Sequence, residues 1–562
     1  MIKEEILKNL RLALDKINIK DVDVSLEKPA NSDFGDYSTS IALKLTKQLK
    51  KNPMLIAEEI KKNFPKTDFI EKIDVVKPGF VNFWISTVQS INRLTEIVEK
   101  GFVYPKYYLG KNKKVMVEFA HPNTHKLFHI GHLRNISTGE AMVKILETVG
   151  NKVIRTNYEG DVGLHIAKCL YGIKSSKVNI NKLKTLQEKI EFIGKMYSSG
   201  TKSYEDDEKA KQEIIRINRM IYDKDPEIMT LWTETRQWSL DYFEENYKRF
   251  YSHFDRLYFE SEIHQKGLEI AKAILKKGIL EKSQGAVVFN GKKYGLDTRV
   301  FINSLGFPTY EGKELALAEK EFSDFGQLDK IIHVVTPEQT SFFKVTFKVE
   351  ELIDEKKYKN KQYHLIYEWV KLKAGKMSSR EGNIIEANWL IDEIKKKIIE
   401  KSKCDQETAE TLAVASAKYS FLKNGTQTII HFDIDESITV DGNSAPYLIY
   451  TYVRCQSVLN KAKQNSQNSL NSLIINTDES NVLRLINQFP ETVQQAAIQF
   501  APNLIANYLY ELAQKYNYFY QKNKILESEE KIKQFRLMLT QATGKVIKEG
   551  LYLLGIKTVE KM

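Results

Sequence analysis

The stretch that most constrains this chain is Glu118-Phe-Ala-His-Pro-Asn-Thr-His-Lys-Leu-Phe-His129-Ile-Gly-His132, which ends in His-Ile-Gly-His where a helix should begin. Val115-Met-Val117, just before it, is a short apolar run suited to a buried strand. After it, Ile136, Val143, Leu146 and Val149 recur at helical spacing, Gly150 is a natural stop, and Lys152 to Ile154 reads as the next strand. The result is a β-loop-α-β unit whose turn lies at the carboxyl end of its first strand, the ligand position in a doubly wound sheet. A helix N-terminus presents unpaired N–H groups and positive dipole character to an anion, Gly131 leaves room for a flat base or ribose, and His129 and His132 add donors. The pattern points to phosphate, although a bare H-x-x-H serves more often as a helix cap than as a ligand site.

A second segment bears on that choice. Lys376-Met-Ser-Ser-Arg380 lies inside Gly375-Lys-Met-Ser-Ser-Arg-Glu-Gly-Asn383, a glycine-bracketed loop of hydroxyls and cations suited to folding over a polyphosphate. In this order and separation, the two segments resemble the HIGH and KMSKS signatures of class I aminoacyl-tRNA synthetases. Within that class the chain resembles the arginyl-tRNA synthetases over nearly its whole length. The resemblance is carried by Asn31-Ser-Asp-Phe-Gly-Asp-Tyr37, Pro78-Gly-Phe-Val-Asn-Phe83, the Glu118 to His132 run, Asp441-Gly-Asn-Ser-Ala-Pro-Tyr447, and the ending Leu554-Gly-Ile-Lys557 with a final Met562.

The resemblance implies an α/β fold: a class I Rossmann-type nucleotide-binding catalytic domain with an N-terminal α+β domain and a C-terminal all-α anticodon-binding bundle. Pattern along the chain fits that division. Residues 1–105 carry amphipathic stretches at Glu4 to Leu14 and Leu55 to Asn63, then strand-like Lys72 to Val76 and Phe80 to Trp84. In the family this module contacts the tRNA elbow, which makes Asn31 and Phe34 candidate contacts. Residues 106–385 form the expected catalytic domain. A charged helical stretch at about 172–255 reads as an insertion, with the sheet resuming near Tyr258. Val287 to Phe289, Val300 to Ile302 and Ile331 to Val335 are β-rich runs expected to supply the second half of the site. Residues 386–562 have long helical patterns, expected to contact the tRNA stem and the anticodon. There Tyr447, Tyr450 and Arg454 fall on one helix face, able to stack unpaired bases or simply to pack.

Composition narrows the class further. At 562 residues and 42% hydrophobic the chain is too long for one core. No charge-free apolar stretch is long enough to span a bilayer, and the first residues, Met-Ile-Lys-Glu-Glu-Ile, lack a signal-peptide core, so a cytoplasmic protein without membrane contact is expected, and a monomer. Cys169, Cys404 and Cys455 are scattered, indicating neither a metal site nor a disulfide framework, and read as buried or half-buried thiols. A net charge of +12 is compatible with a polyanionic partner, and equally with a lysine-rich solvated surface.

The resemblance also implies residue roles. His129, Gly131, His132 and Met377 would bind ATP, with Lys126, Lys376, Ser378, Ser379 and Arg380 completing the catalytic group. Glu118, Asn123, Tyr310, Glu314 and Gln339 would hold L-arginine, whose planar, permanently charged guanidinium demands forked acceptors. Two departures stand out. The family more often has Asp where this chain has Glu314, and Tyr310 to Glu314 reads equally as a surface pair on a helix. The class pattern ends in lysine where this chain has Ser379, and in arginyl enzymes lacking that lysine one just before the HIGH motif takes over, here Lys126, otherwise an exposed cation. The implied reaction joins L-arginine to tRNA(Arg) through an arginyl-adenylate, with ATP as substrate and Mg²⁺. The alternatives are a class I synthetase for another amino acid and a catalytically reduced tRNA-binding paralogue.

Overall fold

The computed structural model describes residues 2–29, 31–104, 113–373, 385–462 and 473–562. The Lys376 to Arg380 segment, with Met377, Ser378 and Ser379, lies outside the described residues.

Residues of the first hundred form a unit with its own core around Ile6, Leu10, Ile56 and Phe83. Helices Ile2–Lys16, Ile41–Leu49 and Pro53–Asn63 pack on a three-stranded antiparallel sheet, with Phe80–Ile85 between Tyr37–Thr39 and Ile70–Val76. The third helix starts two residues before the Leu55 to Asn63 stretch: Asn52 accepts the Met54 N–H and Pro53, lacking a donor of its own, takes the first turn. A helix Thr87–Lys100 leads toward the centre of the molecule.

The centre is a five-stranded parallel sheet in the spatial order Gln362–Ile366, Lys330–Val335, Lys114–Glu118, Lys152–Glu159, Arg256–Phe259. The chain runs outward from Lys114–Glu118 through two strands, then returns to its other side, so the order reverses between Lys114–Glu118 and Lys330–Val335. Ligand sites in such sheets open at the carboxyl ends of the strands beside that reversal. The helix Ile130–Thr148 follows the first strand and is almost wholly buried, with Leu133, Ile136, Met142 and Leu146 in the core.

Between the fourth and fifth strands lie helices Leu186–Asp206, Glu208–Asp223 and Pro226–Arg249, after which the sheet resumes at Arg256–Phe259. The Leu186–Asp206 helix begins with a reciprocal capping box between Thr185 and Glu188. Ala286–Phe289 and Arg299–Ile302 do not extend the parallel sheet; with Glu281–Ser283 they form a separate antiparallel sheet that has its own core around Phe289, Phe301 and Val349. The connection between the two strands holds only the short turn Gly291–Tyr294, and a parallel crossover needs a dozen or more residues, usually a helix.

Among the described residues from 385 on, the regular elements are helical apart from the short strand Ile430–Phe432, which pairs in parallel with Val370–Leu372. Helices Ala387–Ser402 and Gln406–Leu422 pack against Ile130–Thr148, and Ala445–Lys461, Thr477–Gln499, Asn503–Lys522 and Glu530–Leu553 form the terminal bundle. Cys169 and Cys455 are buried and Cys404 is half-buried, as their sequence setting suggested. No helix among the described residues is long and apolar enough to cross a membrane.

Arg134 clamps these parts together. It is 1% exposed, and its guanidinium donates to the carbonyls of Glu368, Trp369, Thr426 and Thr428. Replacing it by Met would remove the charged donor from four part-buried carbonyls, costing about 1–3 kcal/mol locally. Amide exchange in Val370–Leu372 and Ile430–Phe432 should accelerate accordingly; unchanged protection would show the clamp to be dispensable.

Candidate active site

Glu118 ends the first strand of the sheet and faces His333 in direct register on the neighbouring strand. Both side chains are fully buried, and His333 Nδ1 lies 2.8 Å from Glu118 Oε1. On its other side His333 Nε2 meets Gln362 Oε1 at 2.9 Å, while Gln362 Nε2 donates to Glu350 Oε2 at 2.8 Å. With acceptors at both ring nitrogens, the imidazole is doubly protonated. Burial works against that charge, but Glu118, helped by Glu314 and Glu321, carries His333 up to about 10. Burial opposes the Glu118 carboxylate too, and His333 holds it below the usual range.

Three more carboxyls share this nest and have no such partner. Burial pushes Glu314 up to about 8, with repulsion from Glu118 and Glu350 working against the attraction of His333. Burial and then Glu118 push Glu321 well above the usual range, and burial pushes Glu350 up to about 7. A single imidazolium therefore faces four carboxyl groups.

From Glu118 the chain enters a tightly held turn. Ala120 and His125 take left-handed backbone conformations, at φ 84° and 63°, supported by side chains of neighbouring elements. Ala120 N–H donates to Asn135 Oδ1 (2.6 Å) and His121 N–H to Asn157 Oδ1 (2.9 Å). Asn123 bridges to Gly160, its Oδ1 occupying the place a Cβ on Gly160 would take, only 2.1 Å away. Glycine at 160 is therefore what admits Asn123 to the carboxyl edge of the sheet.

The turn ends at the two histidines. His129 is the N-cap, and its Nδ1 accepts the Gly131 N–H at 3.1 Å; His132 Nδ1 accepts the His129 N–H at 3.1 Å. The rings stack with centroids 3.7 Å apart. Because each Nδ1 is an acceptor, each neutral ring carries its proton on Nε2 as a donor. Burial, then the Lys126 charge, lowers His129 to about 4; burial and His129 lower His132 well below the usual imidazole range. A Cβ on Gly131 would sit 2.9 Å from the His129 ring, so the tetrapeptide admits no larger residue without displacing it. Capping and ligand binding are thus not alternatives here: Nδ1 caps, Nε2 remains.

The chain from Ile385 onward is tied to the same turn. Ile130 N–H donates to Ile385 O and Ala387 N–H to Phe128 O, both at 2.9 Å, with an antiparallel bridge between His129 and Glu386. The stretch that follows the Lys376 to Arg380 segment is therefore brought to the start of the helix Ile130–Thr148.

The other expected ligands fall around the carboxyl edge. Tyr310 opens the helix Tyr310–Phe325 and is 64% exposed, with the Lys313 Nζ 5.2 Å from its ring centroid. One turn on, Glu314 is only 5% exposed, so the two are not a surface pair. Gln339 is exposed at the end of the turn Pro337–Gln339 that follows Lys330–Val335. In the N-terminal unit, Asn31 closes a turn by accepting the Asp33 N–H (3.0 Å), and Phe34 is exposed. Near the end of the chain, Arg454 lies between the rings of Tyr450 (4.8 Å) and Tyr520 (5.0 Å), while Tyr447 packs edge-on against Tyr510.

Sequence reasoning missed several residues of this edge. Asp161, buried, takes Arg236 Nε at 2.8 Å and the Ser261 N–H at 2.8 Å; Glu260, buried, pairs with Lys313 Nζ at 2.8 Å. Each lies within two residues of the carboxyl end of a parallel strand, which was the available signal. His333 carried no signal, since only strand register brings it to Glu118.

A sequence profile described as tRNA synthetases class I (R), catalytic domain, matches residues 93–436, and fold and site together define a class I aminoacyl-tRNA synthetase. On either side, profiles for the arginyl tRNA synthetase N terminal domain and the DALR anticodon binding domain match residues 2–85 and 448–562. The chain is 32% identical over 552 residues to the arginine–tRNA ligase of Fusobacterium nucleatum subsp. nucleatum, covering 96% of this chain and 95% of that one. It is 30% identical to that of Halothermothrix orenii over 100% of this chain and 99% of the other. The solved Thermus thermophilus arginyl-tRNA synthetase has the same fold, with a TM-score of 0.84, 23% identity and 100% coverage of both chains. The chain belongs to the arginyl-tRNA synthetase family.

The ring states have a direct readout. Nitrogen-detected spectra of labelled protein should show His129 and His132 as neutral Nε2–H tautomers from pH 8 down to about pH 5.5. Protonation of either near the ordinary imidazole value would contradict the arrangement. The unfolded chain takes up these protons below about pH 6.5 and the folded one does not, so both rings also withdraw stability as pH falls from there.

Proposed function

We propose that this chain ligates L-arginine to tRNA(Arg) in two steps. The arginine carboxylate attacks the α-phosphorus of ATP in line, giving arginyl-adenylate and pyrophosphate; the 2′-hydroxyl of the terminal tRNA adenosine then attacks the adenylate and releases AMP. The observation that carries the amino-acid assignment is the carboxyl nest around His333. It is short of positive charge, and a guanidinium, which cannot deprotonate, is the cation that would fill it.

In this reading Glu118, Asn123, Tyr310, Glu314 and Gln339 hold arginine. His129 and His132 donate from Nε2 to ATP over the helix N-terminus at Gly131, with Lys126 adding a mobile charge. Lys376, Met377, Ser378, Ser379 and Arg380 would complete the ATP site. Among the described residues no group of three or more His, Cys, Asp or Glu side chains is arranged to hold a metal, so Mg²⁺ would enter on the ATP phosphates and neutralise departing pyrophosphate. Residues 1–105, with Asn31 and Phe34, would contact the tRNA elbow, and residues 386–562 the stem and anticodon, using the Tyr450–Arg454–Tyr520 stack and Tyr447. The enzyme is proposed to act as a cytoplasmic monomer.

ATP–pyrophosphate exchange should depend on arginine, accept canavanine, reject lysine and glutamine, and require tRNA(Arg). Exchange with another amino acid in preference to arginine would overturn the assignment. His132→Ala should lower turnover roughly 10²- to 10³-fold through loss of one preorganised donor; near-normal turnover would remove His132 from the chemistry.

Glu314 gives a pH signature. Only the ionised carboxyl accepts a guanidinium, and without substrate it ionises near 8. The KM for arginine should therefore fall about tenfold per pH unit as pH rises toward 8 and level off above, with about one proton released per arginine bound. Glu314→Gln should abolish that slope and raise KM roughly 10- to 100-fold. A slope retained in Glu314→Gln would place the titrating group elsewhere.

A further inference from the structure

The turn that carries Lys126 is held from outside the parallel sheet. His125 donates its backbone N–H to Ser239 Oγ (2.9 Å) and its Nε2 lies 2.8 Å from Thr235 Oγ1, while the Phe128 N–H reaches the Tyr242 hydroxyl at 3.4 Å. Thr235, Ser239 and Tyr242 follow one another at spacings of four and three residues, so they line one face of the insertion helix Pro226–Arg249. That face grips the residues on either side of Lys126-Leu127 and leaves those two to another insertion helix, Leu186–Asp206. Leu127 Cδ1 lies 3.5 Å from where a Cβ on Gly194 would stand, and one turn along the same helix Tyr197 places its ring centroid 5.4 Å from Lys126 Nζ.

The height of this helix over the turn is not adjustable. A Cβ on Gly172 would come within 2.3 Å of Met196 O, and one on Gly200 within 1.9 Å of Lys168 O. The helix therefore lies backbone to backbone on Leu164–Ser176, which itself leaves the sheet just after Asp161. Among the described residues Lys126 has no ion pair and no hydrogen bond, yet its charge reaches both His129 and His132. A ring face attracts an ammonium without neutralising it and leaves its N–H donors free. A carboxylate in that place would hold the lysine and cancel the charge that a phosphate requires.

We propose that Tyr197 is a positioning residue for adenylate formation: its ring seats Lys126 beside the His129–His132 pair, so the helical insertion aims the lysine that stands in for the one absent at Ser379. The proposal rests on the reading of Lys126 as a phosphate ligand. The insertion then contributes to chemistry without touching substrate.

The test is arginine-dependent ATP–pyrophosphate exchange by the full chain with tRNA(Arg), comparing Tyr197→Leu, Tyr197→Phe, Lys126→Met and the double variant Lys126→Met/Tyr197→Leu. Tyr197→Leu should lower kcat roughly tenfold through misplacement of the ammonium, with arginine KM and melting temperature unchanged. Tyr197→Phe, which keeps the ring face, should stay within about twofold of the parent. In the Lys126→Met background, Tyr197→Leu should add nothing. If Tyr197→Leu lowers the melting temperature, Tyr197→Met is read by the same criteria. Full activity in Lys126→Met would overturn the lysine reading and this proposal with it. A slow Lys126→Met beside a fully active Tyr197→Leu, or additive losses in the double variant, would overturn the role of Tyr197 alone.

Discussion

The site depends on one buried ion pair. Glu118 and His333 come from strands far apart in the chain and meet only because the register sets them opposite each other where strand order reverses. Either charge alone would be expensive to bury, and a slip of one residue would turn the two side chains to opposite faces, so the pair specifies the register as well as the polarity of the edge. Its field also sets the condition of its neighbours. Burial raises Glu314 and Glu321 above the usual carboxyl range and the ionised Glu118 raises them further, so these carboxyls ionise only at higher pH or beside another cation.

The His129–His132 side follows the opposite logic. There the two imidazoles are kept neutral by burial and by turning each Nδ1 onto the backbone, so the helix start is built by the same rings that offer donors outward. Positive charge comes from a lysine held by attraction to a ring rather than by an anion. The acidic and the donor halves therefore lie on one turn, from Glu118 to His132, with left-handed residues letting a short peptide face both ways.

Much of this could be read from residue order. The first strand, the turn, the helix that follows it and the helical stretch before Arg256 carry local signals: apolar spacing, Gly150 as a stop, charged helical faces. The small antiparallel sheet was less legible, because β-rich runs such as Val287 to Phe289 look alike whether they join a parallel or an antiparallel partner; only the length of the connection separates the two cases. His333 and Lys313 were invisible for a different reason. Their partners, Glu118 and Glu260, are brought to them by tertiary register and packing, about which neither side chain's own neighbours in sequence say anything. Glu314 illustrates the middle case, since its four-residue spacing from Tyr310 was legible but its burial was not.

The backbone ties between Phe128 and Ala387 and between Ile130 and Ile385 also bear on how the molecule is made. A chain leaving the ribosome completes the first strand and its helix early, but the turn between them lacks these two partners until the insertion, the small sheet and the last parallel strands have all emerged. Domains form from the N-terminal side during synthesis, and contacts distant in sequence close last. The turn is therefore finished only when nearly the whole catalytic unit exists, and a chain that stops short of residue 387 carries the His-Ile-Gly-His signature without the staples that seat it.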